Sequence, residues 1–215
     1  MDLRLLSVNV GLPRPIGFAN GAPVISGFMK EPVAAESVDV TAIGIVGDGQ
    51  ADMAVHGGVD KAVYCYPADH WPWWEREKTL ACKPATFGEN LTIEGCDESV
   101  VAIGDRFHWG DAVLEVSQPR APCYKFAICA RRPDAPALMT VSGRTGWYFR
   151  VIREGRAPVG YAALVREETR GGPSVREAFF AAMYPRASEE SCRRVAAAPG
   201  LAADWLHAVA KRLAT

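Results

Sequence analysis

Short β-branched runs, each cut by glycine, proline or aspartate, fill the first three quarters of the chain. Runs at 3–10, 38–46, 62–66, 100–103 and 112–117 predict strands. In the last, Ala112, Leu114 and Val116 fall on one face, with Glu115 and Ser117 on the other, the period of a half-buried strand. Many short strands and few helices predict a barrel or strongly bent sheet rather than a parallel α/β sheet. One helix is predicted at 67–78, with Ala68-Asp69-His70 offering its N-terminal cap. After Arg170-Gly171-Gly172-Pro173 the period changes. Ser174 and Glu177 have the spacing of a capping box, and apolar positions 175, 178, 179, 182 and 183 follow at helical spacing. A second helix should run from Ser188 to the breaker Pro199-Gly200. A third covers 201–213, with Leu201, Trp205, Leu206, Val209 and Leu213 on one face. The expected organisation is mainly β with α (α+β): a β unit at 1–168 and a small three-helix unit at 173–215.

The 215 residues can bury a sizeable core. A net charge of −1 supplies no global field toward nucleic acid or a membrane, so any anion site must come from local clustering. No apolar run approaches the ~18 residues of a membrane span, and Met1-Asp2-Leu3-Arg4 lacks the layout of a signal peptide. A cytoplasmic protein is expected. The six cysteines (65, 82, 96, 123, 129 and 192) show no paired zinc-ligand spacing and are expected to be reduced.

Four segments concentrate chemistry between the predicted elements. In the run 47–62, His56-Gly57-Gly58 precedes Asp60 and Lys61; it can gather backbone N–H groups and a titratable ring, or form a glycine-rich turn braced by its own polar side chains. Phe87-Gly88-Glu89-Asn90-Leu91 sets a carboxylate and an amide after a loop glycine, able to orient a ligand or to bond the backbone. In Gln118-Pro119-Arg120-Ala121-Pro122-Cys123-Tyr124-Lys125, two prolines stiffen a loop and two cations flank a thiol. Cations favour the thiolate, the form that binds metal or attacks electrophiles. Cys129 lacks a rigid loop, and Cys65 reads as core. Finally, Ser142-Gly143-Arg144-Thr145-Gly146-Trp147-Tyr148-Phe149-Arg150-Val151 sets two arginines beside glycines and aromatics, suited to a phosphate and a flat heterocycle or to surface ion pairing.

Together these segments resemble the MOSC-domain family, named for the C-terminal domain of molybdenum-cofactor sulfurase. The similarity runs through Val55-His56-Gly57-Gly58, Asp60-Lys61-Ala62, Phe87-Gly88-Glu89-Asn90-Leu91, Ile103-Gly104-Asp105, Gln118-Pro119-Arg120, Pro122-Cys123-Tyr124-Lys125 and Gly143-Arg144-Thr145-Gly146-Trp147. The C-terminal helices resemble those of its YiiM-like branch. The match covers nearly the whole chain in order, and is poorest at 12–27.

The resemblance implies a β-barrel with a basic pocket for the molybdenum cofactor (molybdopterin), Cys123 being the protein's metal ligand. It also implies reduction of N-hydroxylated base analogues, electrons arriving from a separate flavoprotein reductase, and a homodimer. Lys30, Lys61, Arg120, Lys125 and Arg144 are expected to bind the cofactor. His56 could supply a proton and Asn90 could orient the hydroxylated nitrogen. Two other readings stay open: sulfur transfer through a Cys123 persulfide, and cofactor binding without catalysis.

Overall fold

Strand Leu3–Val10 pairs on one side with Leu91–Glu94 and on the other with Ala163–Glu168, and these two pairings close a ring of seven strands. Around the ring, Ala163–Glu168 is followed by Arg106–Trp109, Ala112–Pro119, Trp147–Arg153, Val63–Pro67, Leu91–Glu94 and Leu3–Val10. The fold is α+β, with six α-helices among the described residues accompanying the barrel. The computed structural model describes residues 2–52, 57–168 and 171–214. Among them, no helix is long and apolar enough to cross a membrane.

Every barrel pairing is antiparallel except that of Val63–Pro67 with Leu91–Glu94. A parallel pair needs a long crossover, and helix Trp71–Lys78 lies within it. Asp69, expected to cap this helix, instead accepts the Gly95 N–H at 2.9 Å, and no side chain caps the helix. The run 38–46 divides into the short strands Ser37–Thr41 and Gly44–Ile45, which pair as a hairpin. The run 100–103 contributes one isolated bridge, Ala102 to Ser174, rather than a strand.

Strand Ala112–Pro119 departs from its half-buried pattern, for all eight residues are buried. The reason lies at the C-terminus. Ala202 donates to the Ser117 carbonyl at 2.9 Å, so the chain entering helix Ala203–Leu213 lies against what would be the wet face. Glu115 on that face is neutralised by Arg106 at 2.7 Å and Arg150 at 2.8 Å. Helices Val175–Met183 and Glu189–Ala196 begin where their serines predict. Ser174 accepts from the Glu177 N–H at 3.0 Å, and Ser188 from the Ser191 N–H at 3.1 Å. Phe179, Val195, Trp205 and Val209 join Leu3, Leu114 and Phe149 in one hydrophobic core, so helices and barrel bury a common interior. Leu206, expected on the packed face, is 41% exposed.

Two helices not anticipated from the pattern, Tyr124–Ala130 and Ala135–Ser142, follow Cys123. They are short, and their ends explain them. Cys123 has extended backbone at the first N-terminus, and Pro136 stands in the first turn of the second. Gly143, left-handed at φ 66°, ends the second helix.

Candidate functional site

One pocket gathers most of the residues singled out in the sequence. Lys30, Lys61, Asn90, Arg120, Cys123 and Lys125 all line it, from four separate stretches of chain. Phe28, Tyr64, Phe87 and Tyr148 line it too, giving aromatic walls among the cations. Gly27 and Gly49 also belong to it, and a Cβ on Gly27 would stand 2.1 Å from the Gly49 carbonyl oxygen. Only glycine allows the two loops to meet so closely.

Cys123 sits at the turn between strand Ala112–Pro119 and helix Tyr124–Ala130, half-buried, with Arg120 three positions before it. The Arg120 guanidinium lies among the rings of Tyr64 (5.1 Å), Phe28 (5.7 Å) and Phe126 (5.7 Å). Burial opposes its charge, but Tyr64, Tyr148 and Cys123 facing it outweigh that and hold its pKa above the ordinary value. Its Nη1 reaches Met139 Sδ at 3.1 Å, and among the described residues it forms no ion pair with a carboxylate. A buried, permanently charged guanidinium with no carboxylate beside it is suited to balance an anion.

The other thiols differ. Burial pushes Cys65 well above the usual thiol range, Cys82 and Cys96 to about 12, and Cys129 to about 11. Thiolate chemistry is closed to these four near neutral pH. None of the six forms a disulfide.

The remaining predicted residues have individual fates. Lys30 is buried and paired with Asp48; burial lowers its pKa, with the Asp48 and Glu89 charges acting against that. Its charge is therefore already balanced inside the protein. Lys61, at the end of the 3₁₀ turn Val59–Lys61, pairs loosely with the exposed Asp204 at 3.4 Å. Lys125 is buried and forms no ion pair among the described residues. Asn90 is fully engaged: Nδ2 donates to Asp48 Oδ2 and the Asn9 carbonyl, and Oδ1 accepts from the Tyr64 N–H. It holds the wall in place and has no N–H left to offer. Glu89 beside it accepts from the Ala85 and Phe87 N–H groups and the Thr92 hydroxyl, bracing the loop from within.

Arg144, expected to converge with Arg120 and Lys125, does not line the pocket. Its guanidinium lies 4.8 Å from the centre of the Trp73 ring. The cause is the left-handed Gly143, which turns the chain at the end of its helix, and Tyr66, whose hydroxyl donates to the Arg144 carbonyl at 3.3 Å. His56 lies outside the described residues.

Tyr64 is a site residue that the motifs did not show, and it faces Tyr148 of the aromatic stretch 142–151. The two are directly opposed in neighbouring barrel strands, with ring centres 5.0 Å apart. Burial raises the pKa of both hydroxyls, Arg120 opposing. The one sequence signal for Tyr64 is an aromatic residue in a strand next to the glycine motif.

A family model for the MOSC domain matches residues 52–163. The chain belongs to the MOSC family. Protein YiiM of Escherichia coli K12 is 38% identical over 181 residues, covering 80% of this chain and 78% of that protein. The crystal structure of YiiM from Geobacillus stearothermophilus superposes with a TM-score of 0.80 at 32% identity, over 98% of this chain and 99% of the other. A protein of Gibberella moniliformis named reductase is 38% identical over 119 residues, 54% of this chain but 21% of its own length. The matched MOSC span holds Lys61, Asn90, Arg120, Cys123 and Lys125, whereas Lys30 and Asp48 complete the pocket from before it.

Proposed function

We propose that this MOSC protein binds a molybdenum cofactor through Cys123 and reduces N-hydroxylated compounds such as hydroxylamino-purine bases, with electrons from a separate flavoprotein. The observation that carries the reading is the convergence of Cys123 with the carboxylate-free Arg120 and with Lys61 and Lys125 on one aromatic-walled pocket. The donor set suits the group. A thiolate is a soft ligand appropriate to a sulfur-rich metal centre; Arg120, Lys61 and Lys125 are the donors a phosphate needs; Phe28, Tyr64 and Tyr148 offer faces to a flat ring system. Lys30, neutralised by Asp48, supports the wall instead.

Reducing an N–OH group to N–H takes two electrons and two protons and releases water. When bound, the cofactor would supply the two electrons. The protein's part is to hold the thiolate rigidly, to balance the anion and to narrow water access with the aromatic walls. The resemblance to YiiM proteins and to a fungal protein named reductase supports the activity.

The test uses protein from a host that makes the cofactor. Molybdenum and pterin near one per chain, together with turnover of 6-hydroxylaminopurine by a chemical reductant, are expected. Protein free of both, but carrying a persulfide on Cys123 by mass spectrometry, would replace this reading with sulfur transfer. Cofactor without turnover would leave a binding module.

A further inference from the structure

Gln50 brings to the pocket wall a buried acceptor that nothing among the described residues satisfies. Its Oε1 is buried and has no hydrogen-bond partner among the described residues, whereas its Nε2 donates to the Lys61 carbonyl at 3.2 Å. That carbonyl can only accept, so the bond fixes which way the amide faces; the reverse would set two acceptors against each other. Five buried side-chain polar atoms lack a partner among the described residues, and Gln50 Oε1 is the one belonging to a residue of this pocket. A buried carbonyl left unpaired is costly, so its persistence at a pocket wall points to a donor that arrives with the ligand.

The rest of the wall sharpens this. Asp48 already accepts from Gly11, Lys30 and Asn90. The Tyr64 hydroxyl donates to the Thr145 carbonyl. Lys61, Arg120 and Lys125 offer positive charge. A ligand that fits must carry an anionic group for the cations and a hydrogen-bond donor for Gln50, on a body flat enough for the aromatic walls. A pterin with a phosphate side chain has these three features, its aminopyrimidinone edge supplying N–H donors.

We propose that Gln50 anchors the aminopyrimidinone edge of the pterin, Oε1 accepting an N–H of its 2-amino group. This rests on the cofactor reading above and adds to it a residue, a ligand edge and a selectivity. The pocket should prefer pterin over lumazine, in which an oxo group replaces the 2-amino group.

Full-length protein from a host unable to make the cofactor would be titrated with pterin and with lumazine, following quenching of their fluorescence. Wild type should bind pterin at least tenfold more tightly than lumazine. Gln50→Leu should lose that preference while its thermal midpoint stays within a few degrees. From a cofactor-making host, Gln50→Leu should also carry less pterin per chain. Equal binding of the two heterocycles by wild type would overturn the assignment, whether or not the variant folds. So would a variant with normal pterin content and a raised KM for the N-hydroxylated substrate alone, which would place Gln50 on the substrate. Wild type that binds neither heterocycle and carries no pterin from the proficient host would instead remove the cofactor reading itself.

Discussion

Asn90 Nδ2 donates to Asp48 Oδ2 across 2.9 Å, while the same side chain reaches the Asn9 carbonyl at 3.2 Å and the Tyr64 N–H at 3.0 Å. One amide thus ties the N-terminal strand, the Gly47-Asp48 turn and the strand bearing Tyr64. Asn90→Ala should therefore lower stability by roughly 2–3 kcal/mol, since buried partners are left unpaired. Cofactor occupancy should fall with it, while activity per bound molybdenum stays near wild type. Urea unfolding together with metal-normalised turnover checks this. Intact stability with lost activity per metal would instead make Asn90 a catalytic residue.

Cys123→Ser should fold normally and lose most molybdenum and activity, because an alcohol is a poor ligand for a soft centre. In the native cofactor-free protein, Cys123 should be the first thiol alkylated by iodoacetamide. Cys65, fully buried with its pKa raised, should react only on unfolding. Cys65→Ala should act on stability alone, by about 1–2 kcal/mol. Peptide mass mapping after timed alkylation reads the order directly, and early labelling of Cys65 would contradict the barrel interior described above.

Glu89 should shape the pH dependence of stability. Burial pushes its carboxyl from 4.5 to about 7, outweighing the bonds from its own N–H, Thr92, Phe87 and Ala85. Between roughly pH 4.5 and 7 the native chain therefore holds a proton that the unfolded chain has released. Stability from this group is greatest below that window and declines as pH rises through it, by on the order of 3 kcal/mol, then levels off. Glu89→Gln should flatten that part of the curve. Unfolding free energies at pH 5, 6, 7 and 8 for both proteins would show whether it does.

Arg120→Lys keeps the charge but loses the planar fork and its packing against Tyr64, Phe28 and Phe126. Cofactor occupancy should fall at least tenfold. Arg144→Lys, changed on the Trp73 side, should leave occupancy within about twofold. Comparable losses in the two variants would return Arg144 to the anion site.

Much of this was legible in the chain. Barrel strands such as Leu3–Val10 have the expected β-rich text, and Ser174 and Ser188 start their helices by the capping chemistry that marks them in the sequence. What stayed hidden depends on contacts far apart in the chain. Glu115 and Ser117 read as a wet strand face because nothing near them reveals that residues about 200 lie over it. Arg144 carries the same local signal as Arg120, yet the turn at Gly143 sets it on Trp73. Lys30 announces a positive charge, but Asp48, eighteen positions on, balances it. The Gln50 orphan is visible only once the Lys61 carbonyl fixes the amide.

The ring closes where Leu3 meets Leu164 and Arg4 meets Ala163. During synthesis, then, the first strand must wait for some 160 further residues before its second neighbour exists, a long-range pairing of the kind that slows folding. The span 52–163 shared with the MOSC family model lacks both Leu3–Val10 and nearly all of Ala163–Glu168. Cut out alone, that span would leave Leu91–Glu94 and Arg106–Trp109 each with one bare edge of unpaired N–H and carbonyl groups. Bare strand edges recruit other chains. The matched segment by itself should associate or precipitate, and the two outer strands make the barrel an autonomous body.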